Sequence, residues 1–169
     1  MRRIVISILI AYAGVCLKPT GAETMFDPED IVPLDAEDLA EYGIKSEYEI
    51  IRPHLERYIV NPVEIVETIG DESSRYAVSA GGVTYEIGGP GLPYNEGQHW
   101  GRATVAFFEI INNQLEGTGV RFYAISGGND LGGVFLTAEQ YEAAKRNLEQ
   151  RRDWPYIPVL SHPWYGQDH

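Results

Sequence analysis

The sequence predicts an α+β protein built on antiparallel sheet with packed helices, and three observations carry that prediction. Short runs rich in β-branched and aromatic residues come in two groups, at 63–87 and 120–136, instead of alternating one for one with helices. Between the groups lies a nearly all-apolar stretch of helical length, 103–115. Within the runs at 75–80 and 83–87, Tyr76, Val78 and Ala80, then Val83, Tyr85 and Ile87, alternate with mostly polar neighbours, so one face is buried and one is wet. After short N-terminal helices the expected order is β-β-β-α-β-β-α.

At 169 residues the chain is expected to form one domain, which argues against a dinucleotide fold joined to a separate substrate fold. Hydrophobic content of 44%, with 11% aromatics, is that of a folded core and unlike a disordered chain. The first 22 residues read differently. Met1-Arg2-Arg3 is a short positive region, 4–17 carries no charge, and Thr20-Gly21-Ala22 ends the stretch with small residues. This is the layout of a secretory signal peptide with a predicted cut after Ala22, leaving 23–169 as the mature domain. The uncharged stretch, at 14 residues, falls short of the ~20 that span a bilayer as a helix. Ala13-Gly14-Val15 before Cys16 fits a lipoprotein signal less well. Periplasmic or secreted localisation is therefore expected. Cys16 is the only cysteine, so the mature chain has no disulfide and rests on core burial.

Cleavage would remove Arg2, Arg3 and Lys18 and no acid; 13 basic groups less those three leaves 10 against 25 acidic ones, a formal charge of −15. Nucleic acid and anionic headgroups are repelled by such a chain, whereas a basic protein is steered towards it. The acidity is concentrated in 23–72, where 15 acids face Lys45, Arg52 and Arg57.

Taken in order, 23–33 is expected to be irregular, with Pro28 and Pro33 opposing regular structure. Asp35 is a good N-cap, with Leu34 and Leu39 as a hydrophobic staple, and Gly43 supplies the helix stop after Tyr42. Ser46 with Glu49 forms a capping-box pattern. Ile44, Tyr48, Ile51, Leu55 and Tyr58 then draw one helical stripe, with Pro53 predicting a kink or break between 46 and 59. Strands are expected at 63–69, 75–80 and 83–87, joined by turn-like 70–74 and 80–82.

The stretch 88–101 is the longest without periodicity and is expected to be a loop. The helix predicted over 103–115 leaves only Arg102, Glu109, Asn113 and Glu116 as a polar line, so it should lie against the sheet with covered flanks. Strands at 120–126 and 134–136 form a second hairpin through glycine-rich 127–133. Thr137 and Gln140 make a capping box, Leu136 staples onto Tyr141, and Tyr141, Ala144 and Leu148 face inward. The segment 153–169, with three prolines, is expected to be an irregular tail packed back by its aromatics.

Assembled chemistry is hard to find. The mature chain has no nucleophilic cysteine, no G-x-S-x-G elbow, and no HExxH or paired-Cys spacing among His54, His99, His162 and His169. No cofactor or metal is expected. Glu109 falls on the polar line of its helix, which makes it a solvated carboxylate. Segment 88–100 is the leading site candidate, because it gathers Tyr94, Asn95, Glu96, Gln98, His99 and Trp100 before a helix start. Asn129 and Asp130 at the second hairpin form a further projecting candidate. Export, small size and negative charge lead to the expectation of a non-enzymatic binding protein of immunity or inhibitor type that blocks a basic partner enzyme. The alternative is a small cell-envelope hydrolase or saccharide-binding domain, with Glu96 and His99 as an acid–base pair and Trp154, Tyr156, Trp164 and Tyr165 as stacking rings.

Overall fold

The computed structural model describes residues 25–70, 75–93 and 95–169. The predicted signal peptide, most of the 70–74 turn and Tyr94 lie outside the described residues. The α+β class is as the sequence predicts, but the strands form two separate three-stranded antiparallel sheets. One contains β2 (Ile65–Ile69), β3 (Tyr76–Ala80) and β4 (Val83–Gly88) as a meander. The other has β1 (Val32–Pro33), β6 (Gly132–Thr137) and β5 (Val120–Ile125), in that order across the sheet. Strand β1 lies within the segment expected to be irregular. Pro33 is tolerated there because β1 is an edge strand of two residues, paired only with Gly132 and Gly133.

Among the described residues four α-helices accompany the sheets: α1 (Ala36–Glu41), α2 (Ile44–Leu55), α3 (Glu96–Gln114) and α4 (Ala138–Asn147). Helix α3 is the centre of the molecule, touching α1, α2, β4 and β5. Its residues from Ala103 to Phe108 are all buried, while Glu109, Asn113 and Glu116 stay exposed, as the polar line predicts. Phe107 and Phe108 meet Phe122 of β5, the Phe108 and Phe122 rings stacking at 4.8 Å. Phe135 of β6 extends this aromatic core, 4.6 Å from Phe122.

Asp35 caps α1 as its composition requires, accepting from the amides of Glu37 at 2.8 Å and Asp38 at 3.4 Å. Helix α2 departs from expectation. It starts at Ile44, two residues before the predicted capping box, with Gly43 at φ 109° as its N-cap. Ser46 Oγ donates to the Gly43 carbonyl, and Glu49 pairs with Arg52. Groups from the neighbouring sheet serve as caps: the Tyr76 hydroxyl accepts from the Ile44 amide at 2.9 Å and Glu67 Oε1 from the Lys45 amide at 3.3 Å. Pro53 sits in the last turn of an otherwise continuous α2, so the helix is not divided.

The outer edge of β5 is closed rung by rung. The Val120 amide donates to Thr118 Oγ1 at 3.2 Å, both backbone groups of Phe122 bond the Asn112 side chain, and both backbone groups of Ala124 pair with Tyr156. The tail thus begins as a strand-like extension of the sheet and is tied down from its first residues.

Candidate functional site

The start of α3 corrects the expected 88–101 loop. Asn95 is an N-cap whose Oδ1 accepts from the Gln98 amide at 2.8 Å, so Glu96, Gln98, His99 and Trp100 stand on the first turns of α3. Two glycines, Gly97 and Gly101, hide this helix from composition. Gly101 is needed for a different reason: a Cβ there would fall inside the ring of Tyr165, which lies directly on α3.

A concave cleft of about 500 Å³ opens where the start of α3, the β5–β6 connection and the tail meet. Trp100 and Gly97 come from α3, Ser126 and Asp130 from the connection, and Asp153, Tyr156, Trp164 and Tyr165 from the tail. Ala36 at the start of α1 completes one wall. The segments predicted separately as candidate loops and aromatic tail therefore share one site.

Each wall is positioned by backbone. Tyr156 pairs with Ala124 through bonds of 2.8 and 2.9 Å, and its hydroxyl donates to the Ser126 carbonyl at 2.8 Å. Burial pushes the Tyr156 phenol up to about 12, so it stays a neutral donor. Ser126 holds φ 56°, a left-handed conformation that non-glycine residues adopt at a cost and that the Tyr156 bond helps retain. Further along, the tail folds on itself: the Val159 amide donates to the Tyr165 carbonyl at 2.9 Å and the Tyr165 amide to the Ser161 carbonyl at 2.7 Å. Burial raises the Tyr165 phenol, opposed by the positive charge of Arg102. Trp164 is 54% exposed, and its ring meets the His169 ring at 3.6 Å.

Other predicted residues stand apart. His99 turns towards α1 and the meander: its Nε2 lies 3.2 Å from the Ala40 carbonyl, and its ring sits 6.1 Å from that of Tyr76. A side chain at Gly88 would collide with that imidazole. Glu96 is exposed at the helix start, where the dipole favours a carboxylate, and neither it nor His99 lines the cleft. Asn129 Nδ2 donates to Glu37 Oε2 at 3.2 Å, linking the connection to acidic α1. Trp154 packs elsewhere, donating its indole N–H to the Leu148 carbonyl at 3.1 Å beneath Lys145 and Arg151. Sequence reasoning missed Ser126, Arg152 and Asp153 as cleft residues; only the positive-φ demand of an Ile-Ser-Gly-Gly turn hinted at the first.

A second depression, of about 670 Å³, lies between the end of α3 and the start of β5. The side-chain amides that line it are engaged, Asn112 by Phe122 and Asn113 through its Nδ2 by the Tyr85 hydroxyl. Among the described residues no group of three or more His, Cys, Asp or Glu side chains gathers as a metal site, and no helix is long and apolar enough to cross a membrane. No family model matches the chain, and neither a curated protein nor a solved structure matches it.

Proposed function

We propose that this chain is an exported, acidic, non-enzymatic binding protein of inhibitor or immunity type, which covers a basic partner enzyme with the face around the α3–tail cleft. The observation that carries this reading is the convergence of Trp100, Asp130 and Trp164, from three distant stretches of sequence, on one concavity beside acidic α1. Aromatic anchors flanked by charge are the side chains that dominate protein interfaces. His99, the one candidate general base in the leading segment, is directed away from that concavity.

The test uses immobilised wild-type protein and an Asp130→Arg/Trp164→Ala variant, both exposed to envelope extract of the native host. A basic enzyme should be retained by wild type at low salt, released at high salt and ignored by the variant. Its turnover should fall as wild-type protein is added. Retained proteins that are acidic, insensitive to salt, or fully active when saturated would count against the reading.

One observation favours a second reading, a saccharide-binding domain of the cell envelope: three tail rings, Tyr156, Trp164 and Tyr165, line a concave cleft and not a projecting loop. Titration with soluble cell-wall oligosaccharides, followed by tryptophan fluorescence, separates the two. Saturable quenching lost in Trp164→Ala would favour the saccharide.

A further inference from the structure

We infer that the α3–tail cleft is a receptor for an arginine side chain presented by the partner, an assignment that rests on the inhibitor reading above and names the group it recognises. Three properties of the cleft converge on this ligand. Its walls carry Trp100, Tyr156, Trp164 and Tyr165, and aromatic faces attract a planar, weakly hydrated guanidinium better than a compact ammonium. Two carboxylates, Asp130 and Asp153, belong to the same lining and supply the acceptors that a guanidinium fork uses. Among the described lining residues Arg152 is the only base, outnumbered by the two carboxylates, with its Nε 3.9 Å from Asp153 Oδ1.

The surroundings have the same sign. Asp35, Glu37 and Asp38 crowd the start of α1, whose Ala36 lines the cleft, and Asn129 holds Glu37 beside Asp130. Tyr156, its phenol raised by burial, adds no negative charge of its own at neutral pH and acts through its ring. The field is therefore anionic while the contact surface is aromatic, a combination that selects a cation able to stack. A neutral sugar would exploit the rings but gain nothing from the charge of Asp130 and Asp153.

The same site also explains what Arg152 does there. Its side chain is 62% exposed and occupies the rim, so it competes electrostatically with an incoming guanidinium. Removing that charge should tighten binding, an effect that a purely structural role for Arg152 would not produce.

The experiment titrates full-length ¹⁵N-labelled protein with acetyl-Gly-Arg-Gly-amide and with its neutral twin containing citrulline, following the three indole N–H signals. The Trp100 and Trp164 signals should move saturably with the arginine peptide and not with the citrulline one, while Trp154 serves as an internal control. Asp130→Asn should weaken the arginine peptide about threefold and Arg152→Gln should strengthen it by about the same factor, the size of an exposed cation–aromatic or ion-pair contribution. Equal responses to both peptides, no saturation, or a response led by Trp154 would each overturn the assignment. If the arginine peptide is silent while an enzyme is still inhibited by wild type and spared by Asp130→Arg/Trp164→Ala, the arginine assignment fails and the inhibitor reading survives. A specific, Arg152-sensitive peptide response with no inhibitable enzyme supports the arginine site and removes the inhibitor reading.

Discussion

The side-chain amide of Asn112 on α3 binds both backbone groups of Phe122 on β5: Nδ2 donates to the carbonyl at 2.9 Å, and Oδ1 accepts from the amide at 2.9 Å. A helix side chain thereby takes the part of a neighbouring strand. Replacing it with Asp keeps the shape but leaves the Phe122 carbonyl facing an acceptor. Asn112→Asp is expected to cost about 2–3 kcal/mol and Asn112→Ala a similar amount, since buried backbone groups lose their partners. Urea denaturation should show a lower midpoint at unchanged slope.

Gly101 predicts a reversal of sign. In a helix interior Ala is ordinarily about 1 kcal/mol better than Gly. Here a Cβ would intrude on the Tyr165 ring, so Gly101→Ala should destabilise by about 1–3 kcal/mol through overpacking. With Tyr165→Ala in place, the same change should become stabilising. A thermal double-mutant cycle reads the coupling directly.

Glu47 carries an expected pH signature. Burial raises its carboxyl above the ordinary 4.5, and the negative charges of Asp38 and Asp35 add to the rise. These outweigh the favour that the first turn of α2 gives a carboxylate. A raised folded-state value means that its favourable contribution is complete below about pH 4.5 and is lost as pH rises through the shifted value. Glu47→Gln should therefore raise the denaturation midpoint at pH 7 slightly, with the gain shrinking towards pH 3.5. Glu86 acts in the opposite sense: its hydrogen bond and ion pair with Arg75 lower its carboxyl, so that contribution fades as pH falls. Comparing Glu47→Gln with wild type across pH isolates the first effect.

His99 is expected to behave as a packing residue. Removing the ring empties the space between Gly88, Tyr76 and the Ala40 carbonyl. His99→Ala should cost about 1–3 kcal/mol and leave binding at the cleft unchanged at temperatures where the variant is folded. Calorimetry and the arginine-peptide titration measure the two quantities on one sample.

Local chemistry was legible from the residues. Thr137 and Gln140 form the full reciprocal box, with bonds of 2.8 and 3.2 Å, and Asp35 caps α1, because both motifs depend on neighbours within four positions. The start of α2 was misread because its capping groups, Glu67 and Tyr76, stand 22 and 32 positions away. Helix α3 was begun too late for a related reason: Gly101 marks a contact with Tyr165, distant in sequence, and resembles a loop residue when viewed alone. The cleft was visible only as unconnected parts. Trp100, Asp130 and the tail rings were each singled out, but their convergence depends on Tyr156 pairing with Ala124, which no local pattern encodes.

The closed flank of β5 has a consequence for association. Rungs at Val120, Phe122 and Ala124 already have Thr118, Asn112 and Tyr156 as partners, so another molecule cannot graft a strand there and start a fibril. Proteolytic clipping before Tyr156 would uncover Ala124 and turn a closed strand edge into a polymerisation seed, coupling loss of the tail to aggregation.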